Sequence, residues 1–206
     1  MSVIRALTLR NNTAAMDQAA SPAMFMKTIE IFSRLTEAQR DALATISELA
    51  TFEPGQPVYR QSDPVEAFYC VVKGQLKMVN SRGEVARQCY RGGFFGVSSV
   101  ATHERKQSED AIAVTSLTVL RLLSKPFKKL VKSGELPQSL RKDLTDLYTV
   151  MLLTNVPFLQ PLNEGEKRAL VEGGAFTHVK FKSGTDIVSQ GEPGESMYAC
   201  AQGPGL

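Results

Sequence analysis

Residues 52–74 read FEPGQPVYRQSDPVEAFYCVVKG, and this stretch decides the fold. Short apolar segments alternate in it with Pro, Gly, Asp and Ser, which are typical turn residues. Segments of the same kind continue as far as Leu123, with the sequences QLKMV, VARQCY, AIAV and SLTVLRLL. This spacing predicts an antiparallel β-barrel or β-sandwich.

Helices are predicted on both sides of the strands. Thr36 followed by Gln39 is a capping-box pattern that opens one helix, and an earlier helix carries the apolar residues of 24–32. After the strands, the segment around Phe127 is predicted to form a helix. A longer helix is predicted to start at Pro137, because apolar residues recur at helical spacing after it. The fold class is therefore α+β, mainly β, with helices flanking the barrel.

The pattern begins a second time near the C-terminus. The segment LNEGEKRAL repeats LTEAQRDAL, and residues 181–203, FKSGTDIVSQGEPGESMYACAQG, repeat residues 52–74 after a two-residue slip. The matched positions in this pair are Phe52 and Phe181, Gly55 and Gly184, Gln61 and Gln190, Pro64 and Pro193, Glu66 and Glu195, Tyr69 and Tyr198, and Gly74 and Gly203. So many matches in register indicate a duplication.

The second copy stops where the first still has strands to come. We therefore predict a disordered N-terminal arm at 1–22, a first domain at 23–135, a linking helix at 136–154 and a truncated second domain at 155–206. A barrel without half of its strands has open edges, so we expect the second unit to need completion by something else. On this basis the chain is interpreted as a fragment or a shortened product.

These motifs, taken in order, resemble the cyclic nucleotide-binding domain family. The resemblance rests on the repeated phrase F-x-x-G-x-x-[VI]-x-x-Q-[SG]-[DE]-x-x-E-x-[FM]-Y, on G-x-F-F-G at 92–96 and on the final amphipathic helix. It covers about residues 32–203. The tandem arrangement is similar to the regulatory subunit of cyclic AMP-dependent protein kinase and to the regulatory half of the cyclic GMP-dependent kinase. The resemblance implies a β-barrel or jelly roll flanked by helices, with cyclic AMP or cyclic GMP as ligand.

Members of that family hold the cyclic phosphate in a short cassette between two strands. Its pattern is Phe-Gly-Glu followed by Pro-Arg-Ala-Ala-Ser/Thr: backbone amides and the arginine contact the phosphate, and the glutamate binds the ribose 2′-hydroxyl. Here Phe95 and Gly96 match, but Val97 takes the place of the glutamate and Gln107 that of the arginine. Loss of both charged contacts would weaken binding by about a hundredfold to ten-thousandfold.

The candidate ligand-binding residues are those that the cassette keeps or could use instead. Backbone amides of 96–98 are expected to face a phosphate, and Arg105 or Lys106 could supply charge after a shift of one or two residues. Glu109 and Asp110 would repel a phosphate if they faced the pocket. The complete set of candidates is Gly93, Phe95, Gly96, Val97, Ser98, Arg105, Lys106, Gln107 and Ser108. The glycines could equally serve a barrel corner, and the phenylalanines the core.

The sequence thus predicts a non-enzymatic regulatory protein that senses cyclic AMP, cyclic GMP or an uncharged nucleoside weakly. A protein kinase catalytic subunit is a possible partner, although Arg5 and Arg10 do not form the paired-arginine inhibitor segment of kinase regulatory subunits. The alternative is a barrel kept as a protein-interaction scaffold that binds no nucleotide.

Other classes of function receive no support from the composition. The chain has 206 residues, 43% of them hydrophobic and 22% charged, and its net charge of +3 is not gathered in one segment, so neither nucleic-acid nor membrane binding is predicted. An odd number of dispersed cysteines (Cys70, Cys89 and Cys200) indicates reduced thiols and a cytoplasmic location. The isolated His103 and His178 predict neither a metal site, a cofactor nor catalysis.

Overall fold

The computed structural model describes residues 21–199 apart from 103, 155, 178, 180, 183, 192 and 195. The predictions made for residues 1–20, His103, His178 and Cys200 lie outside these residues. Eight strands form the first domain: β1 (Ser47–Phe52), β2 (Pro57–Tyr59), β3 (Ala67–Lys73), β4 (Leu76–Val79), β5 (Val85–Cys89), β6 (Phe94–Phe95), β7 (Asp110–Ala113) and β8 (Leu117–Leu123). The described helices are α1 (Pro22–Met26), α2 (Glu30–Ser33), α3 (Glu37–Ala44), α4 (Ser98–Ala101), α5 (Ser124–Ser133), α6 (Gln138–Leu153) and α7 (Glu164–Glu172).

The strands form two antiparallel four-stranded sheets, in the orders β1-β8-β3-β6 and β2-β7-β4-β5. Each sheet therefore joins strands from both halves of the domain, as in a jelly roll. This confirms the predicted fold class.

Strand β3 supplies side chains to two cores. Tyr69 and Val71 belong to the core between the sheets, whereas Phe68 and Cys70 pack against the helices on the outer face of the first sheet. Alternation of successive side chains along a strand sends neighbours to opposite faces. The nearly continuous apolar run AFYCVV is therefore the signature of a strand that is buried on both sides.

The helices cover the outer face of the first sheet. Thr36 and Gln39 form the predicted reciprocal capping box of α3. The helix predicted over 24–32 is divided into α1 and α2, because Ile29 has extended backbone angles (φ −101°, ψ 122°) while its side chain is buried. The longer predicted helix is α6, with Pro137 as its N-cap residue. None of the described helices has both the length and the apolar character needed to cross a membrane.

The segment predicted to begin a second copy opens with a capped helix, as the first one does. Asn163 and Glu166 form a reciprocal capping box at the start of α7, and Val171 of this helix packs with Val150 and Leu153 of α6. The described residues between 175 and 199 contain neither helix nor strand. The predicted domain boundaries remain a prediction.

Candidate functional site

The candidate cassette is the segment that connects β6 to β7, and a left-handed glycine begins it. Gly96 has φ +66°, and a Cβ at this position would lie 3.2 Å from the carbonyl oxygen of Ala67 and 3.2 Å from a ring carbon of Tyr69. Both the backbone angle and the space therefore favour glycine. This turn directs the chain from β6 into the short helix α4.

Two backbone amides after Gly96 have no hydrogen-bond acceptor among the described residues. In the described part of the chain, no oxygen atom accepts a hydrogen bond from the amide of Val97 or Ser98, whereas later amides bond back into α4. The side chain of Val97 is 1% exposed and packs in the helix-side core. The position at which the cassette pattern has a glutamate therefore holds a buried apolar group.

The second half of the candidate set lies on an extended segment next to residues 62–65. The amide of Gln107 donates to the Asp63 carbonyl at 2.9 Å, and the Val65 amide donates to the Arg105 carbonyl at 3.0 Å. Arg105, Lys106 and Ser108 are exposed, whereas Gln107 is 6% exposed. A neutral amide is therefore buried at the expected arginine position, and both candidate cations face solvent.

Two candidates shape the strands around the cassette. Gly93 lies in the turn between β5 and β6, where its amide donates to the Tyr90 carbonyl at 2.8 Å and its carbonyl accepts from Val71 at 2.9 Å. Phe95 is fully buried and stacks on Tyr69, with ring centroids 4.8 Å apart and planes at 13°. Tyr59 approaches both rings, at centroid distances of 5.7 and 6.0 Å. Aromatic rings from both sheets thus fill the interior beside the cassette.

The acidic pair at the end of the cassette has two different environments. Asp110 accepts hydrogen bonds from the Gln61 amide at 2.6 Å and from the Arg60 guanidinium at 3.1 Å, so structural contacts occupy its carboxylate. Burial raises the pKa of Glu109, and the nearby Arg87 guanidinium offsets this only in part. Burial raises the pKa of Tyr59 and Cys89, and the Glu109 charge adds a smaller increase to both.

The raised pKa of Glu109 predicts a dependence of stability on pH. Its pKa in the folded chain is above the ordinary value of 4.5, so the ionised carboxylate destabilises the fold at neutral pH. Protonation removes this penalty as the pH falls through the raised pKa. Glu109→Gln is therefore expected to increase the free energy of unfolding at pH 7, with a difference from wild type that disappears by about pH 4.

Urea unfolding at both pH values measures this effect. Asp110→Asn is the matched control, since its carboxylate accepts hydrogen bonds from Arg60 and Gln61; this variant should be less stable than wild type at pH 7. A Glu109→Gln protein that is less stable than wild type at pH 7 would contradict the assignment.

One polar residue of the interior does not follow from the cassette pattern. Arg87 of β5 pairs with Met78 of β4, whose side chain is in the core between the sheets. Its Nη1 lies 3.2 Å from the Cys89 sulfur and 3.3 Å from the carbonyl oxygen of Phe94, in the strand that leads into the cassette. The alternation in VARQC could have indicated it, because Arg87 shares the inward face with Cys89.

Within the described residues, no group of three His, Cys, Asp or Glu side chains is arranged to hold a metal ion.

The candidate site consists of the Gly96 turn with the unpaired amides of Val97 and Ser98, the buried stack of Tyr69 and Phe95, and the inward-facing Arg87. The side chains of Arg105 and Lys106 are exposed.

Comparison with known proteins agrees with this architecture. Residues 49–133 match the cyclic nucleotide-binding domain. The chain is 27% identical over 161 residues to the cGMP-dependent protein kinase egl-4 of Caenorhabditis briggsae, covering 76% of this chain and 21% of that protein. It is 23% identical over 179 residues to the cAMP-dependent protein kinase regulatory subunit of Eremothecium gossypii, covering 84% of this chain and 35% of that one.

Solved structures share the fold. A putative cyclic nucleotide-binding protein from Geobacter metallireducens superposes with a TM-score of 0.55 at 20% identity, over 66% of this chain and 98% of that one. The regulatory subunit of a cAMP-independent protein kinase A from Trypanosoma brucei gives 0.50 at 21% identity, over 58% and 43%. The chain spans about a third or less of the length of the curated relatives that it matches.

Proposed function

We propose that the protein, whose residues 49–133 match the cyclic nucleotide-binding domain, is a non-enzymatic regulatory protein of the kinase regulatory type whose first cassette has diverged. It binds cyclic AMP, cyclic GMP or a nucleoside weakly, and ligand occupancy alters contacts with a partner such as a kinase catalytic subunit. We also propose that it acts in the cytoplasm.

The observation that carries this proposal is the cassette itself. The Gly96 turn and the available amides of Val97 and Ser98 are compatible with phosphate approach. A buried valine and a buried glutamine occupy the positions of the family's two charged contacts. Backbone donors without those contacts support phosphate binding of low affinity, because each hydrogen bond to a charged group contributes about 1.5–3 kcal/mol.

A path from the cassette to the rest of the chain supports a regulatory role. Val97 and Val100, at the start of the cassette, belong to the same buried core as Leu140 and Leu144 of α6. The opposite end of α6 packs through Val150 and Leu153 with Val171 of α7. We therefore propose α6 as the element that transmits occupancy of the cassette.

The scaffold function is favoured by a different observation. The rings of Tyr59, Tyr69 and Phe95 pack together between the sheets beside the cassette. Burial raises the pKa of both tyrosines, so their hydroxyls are neutral at pH 7. A barrel whose interior is packed with such rings can stay folded without a nucleotide and serve as a protein-interaction scaffold.

Titration of the full chain with cyclic AMP, cyclic GMP and adenosine distinguishes these functions. The proposal expects saturable binding of a cyclic nucleotide or of adenosine, weaker than micromolar. Gln107→Arg is expected to tighten binding of the cyclic nucleotides about tenfold or more and to leave adenosine unchanged, because only the cyclic nucleotides carry a phosphate. Absence of binding by all three compounds would favour the scaffold, and nanomolar binding to wild type would contradict a diverged cassette.

A further inference from the structure

Arg87 places a guanidinium on the inner face of the barrel. Met78, directly opposite it in the β4–β5 hairpin, is buried in the core between the sheets, and Cys89 on the same face of β5 is buried there too. Residues paired across an antiparallel ladder lie on the same face of the sheet. Arg87 is therefore directed toward the interior, and its side chain is only partly exposed.

The hydrogen-bond partners of Arg87 are both uncharged. Its Nη1 contacts the Phe94 carbonyl oxygen and the Cys89 sulfur. Among the described residues, no carboxylate oxygen lies within 4.0 Å of its nitrogens, whereas Arg60 and Arg121 each have such a partner. A guanidinium has five N–H donors, so the contacts of Nη1 leave donors for a further acceptor.

The position of this cation is next to the cassette. The Phe94 carbonyl belongs to β6, which leads directly into Gly96 and the available amides of Val97 and Ser98. Planar guanidinium groups bind phosphate oxygens through paired hydrogen bonds. A phosphate approaching from the cassette side could exchange with the carbonyl and sulfur contacts of Arg87.

We propose that Arg87 is the anion-binding residue of this barrel and that it binds the phosphate group of a phosphate mono- or diester, the role that Gln107 does not fill. This inference rests on the proposed function, since it assigns the charged contact of the same site. It replaces the earlier expectation that Arg105 or Lys106 supplies the charge, because both of those side chains face solvent.

Glu109 sets a limit on the affinity of this anion site. Arg87 lowers the pKa of Glu109 against the larger effect of burial, and the Glu109 charge also acts on Tyr59 and Cys89. The carboxylate would therefore compete with a bound phosphate for the Arg87 guanidinium. Both neighbours are neutral at pH 7 because burial raises their pKa. Removal of the Glu109 charge should therefore strengthen phosphate binding.

The test is an NMR titration of the full chain with cyclic AMP and, separately, with inorganic phosphate. Arg87→Gln is expected to weaken binding of both about tenfold to a hundredfold, and Arg87→Lys less. Arg82→Gln is the matched control, since Arg82 is exposed in the turn of the same hairpin, and it should leave both affinities unchanged. Glu109→Gln should tighten both.

The outcomes separate this inference from the proposed function. Cyclic AMP binding that is equal in wild type, Arg87→Gln and Arg82→Gln overturns the role of Arg87 while the weak-sensor function stands. Phosphate binding that depends on Arg87, without any binding of cyclic AMP, cyclic GMP or adenosine, supports the anion site and overturns the nucleotide function. Absence of binding by every probe overturns both. Thermal unfolding of each variant verifies that it is folded.

Discussion

Phe127→Ala is expected to lower the free energy of unfolding by about 3–5 kcal/mol. Phe127 of α5 packs edge-to-face against Phe68 of β3, with ring centroids 5.2 Å apart and planes at 77°, and both side chains are fully buried. Replacement by alanine leaves a cavity and removes the aromatic pair at the junction between the barrel and the helices. The loss is a large share of the about 5–15 kcal/mol by which a domain of this kind is stable.

Urea unfolding followed by circular dichroism measures this change. Phe158→Ala is the matched control, because Phe158 is 56% exposed and its truncation should change stability by less than about 0.5 kcal/mol. Equal effects of the two substitutions would show that the α5 contact does not stabilise the barrel.

Gly74→Ala is the second substitution with a large expected effect. Gly74 has φ +88°, and a Cβ there would lie 2.2 Å from the Ser116 carbonyl oxygen and 3.0 Å from the Leu117 Cα. The left-handed backbone costs about 1–2 kcal/mol for alanine. Displacement of the backbone before β8 adds about 1–3 kcal/mol. The free energy of unfolding should therefore fall by about 2–5 kcal/mol in total.

Gly83→Ala measures the backbone part of that cost alone, so the difference between the two variants gives the steric part. Gly83 has φ +79°, close to that of Gly74, but no atom lies within 4 Å of its added Cβ. This variant should lose only the about 1–2 kcal/mol of the backbone term in the same urea experiment. If the two variants were equally stable, close approach of the Ser116 carbonyl would not be the reason for glycine at position 74.

Local features of the fold could be predicted because neighbouring residues determine them. The capping box of Thr36 and Gln39 satisfies amides within a single helical turn. The apolar segment of β3 was predicted as a strand, and the structure distributes its side chains between two cores. The break at Ile29 was missed, since the apolar pattern of 24–32 is also compatible with one continuous helix.

The roles of the candidate site residues remain predictions, and the structure shows where these residues lie. Gly96 and Phe95 were identified through the cassette pattern, and they do lie together at the turn after β6. Arg105 and Lys106 were selected because they are basic and close to the expected position in sequence. Pairing of their segment with residues 62–65 leaves both side chains in solvent and buries Gln107. A shift of one residue in such pairing exchanges the buried and exposed faces.

The sequence by itself determined the alternation of strands and turns, the helix caps and the absence of the two charged cassette residues. Each of these depends on the identity or spacing of nearby residues. Only the tertiary structure decided that Arg87 lies beside Phe94 and close to Glu109. Those three residues come from different strands or from the loop before β7, and their proximity depends on the strand order β2-β7-β4-β5 and on the packing of the two sheets. Side-chain direction in a strand follows from its register with distant partners, which local spacing does not fix.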